Sequence, residues 1–369
     1  MADSNSGSLS KPLPAQRILV VRYRFIGDTI LTAPFLRNLR RAYPEATVDV
    51  LVGPQSGTVL QGCPYINELI VFDTTRFHKY DRGAGPRRNL ISYATDLRKR
   101  RYDLAFILKR SWSSGLLTWL AGARYRVGYN TEGRRIFLTH PVAWNPSKHE
   151  VESTLDVLAA AGVPVVDKHL EAWVTEGEKA EISALVPELG RDSLRLLIHA
   201  AAAHPAKMYP LDNWCYVVRA LAEKLKATLY FTGAEQDREL YEQLCSISGV
   251  KGINLAGKLS IRQSLALYSR MDLAVCVDSG PAHLAAAAGV PTVAIFGPTD
   301  PDRWRPWGDE HTYIRGASAP ACACAINNVC ADLTCLTQLD ASVVVERASK
   351  LFFTNGNLPR HTQERLAKL

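Results

Sequence analysis

One pattern constrains this chain more than any other: short apolar runs alternate with amphipathic stretches, and the alternation occurs twice. RILVVRY, ATVDVLV, ELIVFD and YDLAFIL fill the first half, and LRLLIHA, TLYFTG, LAVCVDS and TVAIFG the second. Such runs are too short for core helices and carry no polar face, which suits strands buried on both sides of a parallel sheet. Between them, residues 28–41 set Ile30, Leu31, Pro34, Phe35 and Leu39 along one helical face, and LDNWCYVVRALAEKLKA and IRQSLALYSR are also helical. The expected class is α/β with doubly wound sheets. A length of 369 residues at 47% hydrophobic content allows two cores.

The expected layout is a disordered tail at 1–15, a first domain at 16–175, a charged linker at 176–192 and a second domain at 193–340. A helical segment at 341–369 is expected to pack back on the first domain. In open sheets of this kind ligands bind beyond the carboxyl ends of the strands. Four loops lie there: 24–28, 200–210, 278–283 and 297–301.

Charge narrows the partners. The net charge is +8, but residues 17–135 hold 21 Lys and Arg against 9 Asp and Glu, a local +12. That surplus favours a phosphorylated substrate or an anionic membrane surface. Nucleic acid is set aside, because zinc-finger spacing, an RNP-type motif and aromatics interleaved with a basic stripe are all missing. No apolar run reaches the roughly 18 residues that cross a bilayer. MADSNSGSLSKPLPAQ lacks the apolar core of a signal peptide. The expected location is cytoplasmic, with peripheral contact at the inner face of the membrane as a candidate.

Two loops have the chemistry to hold phosphate. In VCVDSGPAHLAAAAG, Asp278 or Ser279 can cap a helix, Pro281 suits its first turn, and Gly280 lets a ligand approach the backbone. The helix start then favours an anion, with His283 one turn in. A well-capped structural helix explains the same residues apart from His283. In IHAAAAHPAKMYPLDNW, Lys207 stands at the ligand edge of the same domain. A charge-assisted hydrogen bond there is worth about 1.5–3 kcal/mol, and a solvated surface lysine is the plainer alternative. Neither G-x-G-x-x-G nor G-x-x-x-x-G-K-[ST] occurs, which disfavours a dehydrogenase and a P-loop enzyme.

The first loop, RYRFIGD, places Asp28 behind Gly27 among arginines. Asp28 is either a helix N-cap, a general base, or both. Arg22 and Arg24 would lower its pKa if they approached it.

These segments together resemble glycosyltransferase family 9, the lipopolysaccharide heptosyltransferases and their relatives. IGDTILTAPFLRNLRRAYPEATVDVLV and VDSGPAHLAAAAGVPTVAIFGPTDP carry the likeness, with HAAAAHPAKMYPLDNW between them. The resemblance implies a GT-B fold of two Rossmann-like domains facing a central cleft. It implies inverting, metal-independent transfer of a sugar, commonly heptose from an ADP-linked donor, to a lipopolysaccharide-core or other cell-envelope glycan, with no cofactor needed for catalysis. The implied base is Asp28. The implied diphosphate site is Lys207, Asp278, Ser279, Gly280, His283 and Thr299, with Gly233, Glu235 and Leu259 as nucleoside contacts. Arg22, Arg24, Phe25 and Gly27 are the candidates for an anionic glycolipid or glycan acceptor. Many family members carry small hydroxyl residues where this chain has Arg24 and Phe25, so the rim of the acceptor pocket differs. Two rivals stand beside this expectation: a non-catalytic nucleotide-sugar or glycan-binding protein, and a nucleotide-sugar epimerase of similar architecture.

Four of eight cysteines cluster in CACAINNVCADLTC, at Cys322, Cys324, Cys330 and Cys335. A structural metal and a disulfide-stapled loop are both compatible with them, although the paired C-x₂-C units of common zinc ribbons are missing.

Overall fold

The computed structural model describes residues 9–73, 88–190, 193–316 and 333–354. The chain falls into two compact units, Met1–Leu170 and Glu171–Leu369.

The first unit is built on β1 (Arg17–Val21), β2 (Thr47–Val52), β3 (Glu68–Val71), β4 (Leu104–Ile107), β5 (Tyr125–Tyr129) and β6 (His140–Val142). They form one sheet in the order β3-β2-β1-β4-β5-β6. All pairings are parallel, with Val21 at the end of β1 opposite Leu51 and Ile107. The helices are α1 (Ile26–Ile30), α2 (Ala33–Ala42), α3 (Leu90–Lys99), α4 (Trp112–Leu120) and α5 (Glu150–Ala159). β4 is buried throughout, as a strand covered on both faces must be.

The second unit repeats the plan. Its strands are β7 (Leu194–His199), β8 (Ala227–Phe231), β9 (Ile253–Asn254), β10 (Leu273–Val277), β11 (Thr292–Phe296) and β12 (Thr312–Arg315). The order β12-β11-β10-β7-β8-β9 is, numbered within the unit, the same 3-2-1-4-5-6 arrangement, again wholly parallel. Its helices include α6 (Glu176–Leu185), α7 (Leu211–Leu225), α8 (Arg238–Ser248), α9 (Ile261–Tyr268) and α10 (Gly280–Ala287). α7 shows why these segments are helical: Trp214, Val217, Val218, Leu221 and Leu225 recur on one face and enter the core. The strand order reverses between β1 and β4 in one unit and between β7 and β10 in the other. Those are the crevices where such sheets take ligands.

The structure departs from the sequence reading in four places. The helix expected over residues 28–41 is two helices, because Pro34 lies at the start of α2 and has no N–H to bond back into α1. The charged stretch expected as a linker folds as α6, closed by a capping box between Thr175 and Glu178. β5, β6, β9 and β12 escaped notice because they are short or carry polar residues at the sheet margins. The segment after Asp340 is helical at Ala341–Thr354, and Val344, Ala348 and Phe352 join the core of the second unit against α7. Residues 355–369 lie outside the described residues.

Candidate active site

At the switch point of the first unit, the chain leaves β1 and turns within four residues into α1. Asp28 is the third residue of that helix. The N-cap position belongs to Phe25, and no side chain caps it, so the capping role open to Asp28 is not the one it fills. Arg22 is buried and holds the turn together. Its Nε donates to the Asp28 carbonyl at 3.0 Å, its Nη1 to the Leu108 carbonyl at 3.2 Å, and its Nη2 to Glu150 Oε1 at 2.9 Å. The same Nη2 lies 3.8 Å from Asp28 Oδ2. Arg22 is thus engaged inside the protein and not presented to an acceptor, contrary to the sequence expectation.

The Asp28 side chain keeps 23% exposure, against 2% for Glu150. Its carboxyl is raised above the ordinary aspartate value. Burial is the main cause, Arg22 opposes it, Glu150 adds to it, and Lys109 and Arg110 work against it. The arginine expected to weaken a base lies between two carboxylates, and burial outweighs its pull on Asp28.

The loop after β4 faces the same crevice with Lys109 and Arg110. Lys109 is pushed down to about 8 by burial, with Arg24, Arg22 and Arg110 adding to the shift and Asp28 opposing it. Arg134, fully buried, fixes this loop by donating to the Tyr129 carbonyl at 2.6 Å, to the Lys109 carbonyl and to Ser114 Oγ at 3.1 Å. Arg24 is exposed, with its guanidinium 4.8 Å over the Phe25 ring. It adopts φ 148°, a conformation that costs a non-glycine residue about 1–3 kcal/mol. Phe25 is 46% exposed. Gly27 is buried beneath this rim.

At the switch point of the second unit, Lys207 Nζ meets Asp278 Oδ2 at 2.7 Å. Asp278 is buried and Lys207 partly exposed, so the carboxylate orients a cation whose other hydrogens face outward. Ser279 takes the N-cap position of α10, but its hydroxyl donates back to the Val277 carbonyl at 3.2 Å. The helix start is left without a side-chain cap, as an anion site requires. His283 is buried behind it with Nδ1 unpartnered. Burial holds its pKa down to about 4 against the pull of Asp278, and Lys207 adds to the lowering. Imidazole there is neutral at pH 7.

The loop after β11 closes on the same place. A Cβ at Gly297 would lie 3.0 Å from the Ala206 carbonyl and 2.9 Å from Leu336 Cδ1, so only glycine lets this loop pack beside the Lys207 turn. Thr299 follows it, partly exposed. Asp300 accepts from the Asp302 amide at 3.0 Å and caps the short helix Pro301–Trp304. Beyond β8 and β9, the Gly257 amide donates to the Gly233 carbonyl at 3.0 Å, and Glu235 pairs with Arg238 at 2.8 Å. Leu259 stands partly exposed two residues further on.

The structure therefore gathers Lys207, Asp278, Ser279, Gly280, His283 and the Gly297 loop in one unit, and joins the Gly233 and Gly257 loops beside them. Glu150, Lys109, Arg110 and Arg134 were missed. Lys109 and Arg110 were open to discovery, since they end the strand YDLAFIL on the ligand side. Glu150 gave no local signal. Of the cysteine cluster, Cys335 is buried and the other three lie outside the described residues. Among the described residues no group of three or more His, Cys, Asp or Glu is placed to hold a metal ion.

Comparisons with known proteins agree with this fold. Lipopolysaccharide heptosyltransferase 3 of Escherichia coli is 28% identical over 296 residues, covering 78% of this chain and 85% of the relative. A glycosyl transferase family 9 structure from Veillonella parvula superposes with a TM-score of 0.79 at 22% identity, over 94% of this chain and 99% of that one. The ADP-heptose lps heptosyltransferase II structure from E. coli gives 0.72 at 23% identity, over 92% and 99%. These structural likenesses establish the fold class, that of the GT-B glycosyltransferases. Residues 90–330 match the family model of glycosyltransferase family 9 (heptosyltransferase), and the chain belongs to that family.

Proposed function

We propose that this glycosyltransferase moves a heptose from an ADP-linked donor to an anionic lipopolysaccharide-core acceptor, with inversion and without a metal. The names of its relatives support donor and acceptor class. The observation that carries the mechanism is the partly exposed Asp28 carboxylate, kept basic by burial and by the Glu150 charge against the pull of Arg22. In this reading Asp28 takes the proton of the acceptor hydroxyl as that oxygen bonds to the anomeric carbon. The bond from that carbon to the diphosphate oxygen breaks, and the electron pair leaves with the nucleotide. Lys207 and the uncapped start of α10 stabilise the departing charge, a preorganised electrostatic role. Gly233, Glu235 and Leu259 contact the nucleoside. Lys109, Arg110 and Arg24 meet the acidic groups of the acceptor, which is presented at the inner face of the cytoplasmic membrane.

The test pairs a thermal-shift panel with a transfer assay. ADP is expected to raise the melting midpoint more than UDP or GDP at equal concentration. Asp28→Asn is expected to lower turnover by about 10²–10⁴-fold while ADP stabilisation stays the same. Stronger stabilisation by UDP would overturn the donor, and unchanged turnover would remove Asp28 from the chemistry. Conversion of the donor sugar without any acceptor would favour an epimerase.

A further inference from the structure

α4 carries Trp112 and Trp119 seven residues apart, two turns along one face, and both are about half exposed. Ile136, in the turn Arg134–Phe137, is 75% exposed. Phe137, next to Ile136 in that turn, joins the two tryptophans: its ring lies 5.1 Å from that of Trp112 and 6.0 Å from that of Trp119. A folded protein has no internal use for two tryptophans and an isoleucine held in water on one surface.

The polar groups around this patch are mostly cationic. Arg98 donates to the Leu120 carbonyl at the end of α4, at 3.3 Å. Arg126 donates to the Phe137 carbonyl at 2.5 Å, and exposed Arg135 adjoins Ile136. The acid at the rim, Glu132, accepts the Trp112 amide at 3.1 Å and so faces the positive start of α4. Tryptophan concentrates at the headgroup level of bilayers, and each Lys or Arg near an anionic leaflet adds about 1 kcal/mol of attraction. The patch starts two residues after Arg110, at the crevice that holds Asp28.

We propose that α4 and the turn Arg134–Phe137 form a docking surface for an anionic lipid bilayer. Charge decides the occupant: apolar tips ringed by arginines, in a region with a +12 surplus, complement a negatively charged apolar layer. A lipid-borne acceptor would then emerge beside the Asp28 crevice. The proposal stands on the exposed side chains of the first unit, and its test reads lipid binding alone, so it succeeds or fails separately from the transfer reaction.

The experiment is co-sedimentation of the full chain with sucrose-loaded vesicles. One set contains equal parts phosphatidylcholine and phosphatidylglycerol, and the other phosphatidylcholine alone. Binding is expected to the first set only, and to weaken in high salt. Ile136→Asp with Trp119→Ser is expected to lower partitioning by about tenfold or more. Arg135→Glu, a two-unit change in charge, is expected to lower it by about thirtyfold. Ile136→Asp alone alters a side chain already in water, so it keeps the test valid if the double variant fails to fold. No binding, equal binding to neutral vesicles, or binding unchanged in Ile136→Asp would each overturn the proposal. Loss of a dimer in Ile136→Asp, without vesicle binding in the parent, would assign the patch to a second copy of the chain and overturn it as well.

Discussion

Replacing Glu150 with glutamine changes one charge and almost no volume, and it tests the logic of the first site. Glutamine Oε1 still accepts from Arg22 Nη2, so the buried guanidinium keeps its partner, now 2.9 Å away in the parent. Because Glu150 Oε1 and Asp28 Oδ2 both contact that Nη2, at 2.9 and 3.8 Å, they lie no more than about 7 Å apart. Two like charges at that distance repel by about 2–3 kcal/mol at an effective dielectric of 20. Removing the repulsion lowers the Asp28 pKa. Glu150→Gln should therefore move the acid limb of the kcat/KM profile to lower pH, since the base stays ionised further down. If half the lost basicity reaches the transition state, plateau turnover falls by about tenfold. The assay is initial-rate nucleotide release against pH at saturating donor, with the melting midpoint as a check on folding. An acid limb that stays in place, or moves upward, would refute the coupling of Glu150 to Asp28.

Other consequences are as direct. Lys207→Ala removes a charge-assisted contact and should weaken nucleoside diphosphate binding by about 10–100-fold by calorimetry, and an unaltered dissociation constant would exclude the clamp. Lys109 is charged below about 8 and neutral above it, so apparent acceptor affinity should fall as pH rises through that value. Lys109→Arg, whose guanidinium stays charged, should carry the loss to higher pH, and an unmoved alkaline limb would remove Lys109 from acceptor binding. Gly257 adopts φ +73°, and a Cβ there would lie 2.8 Å from the Glu235 Cα and closer still to its carboxylate. Gly257→Ala should lower thermal stability by more than about 1 kcal/mol, measurable by calorimetry.

What sequence alone could reveal depended on how local each device is. Four strands of each sheet were legible, since a buried parallel strand writes its whole character into five consecutive residues such as LAVCV. So was the α10 start, where serine, glycine, proline and histidine fall within one turn. Glu150 was invisible because it meets Arg22 from 128 residues away. Asp278 was grouped with the phosphate binders on motif alone. Nothing local signalled its pairing with Lys207, 71 residues distant. Arg22 and Arg24 looked equivalent in RYR, and strand alternation would set both on one face, yet the turn at Arg24, with φ 148°, leaves one buried and the other exposed.

The pairing of Lys207 with Asp278 also has a kinetic meaning. The cation of the second unit is already paired with a tethered carboxylate. On the proposed donor site, an incoming diphosphate would share Lys207 with a carboxylate that never diffuses away, which subtracts from ground-state affinity. The same pairing would help afterwards: as the spent nucleotide loosened, Asp278 would reclaim the lysine and make rebinding less favourable. Under that proposal the site trades tight retention of product for a faster return to the empty state.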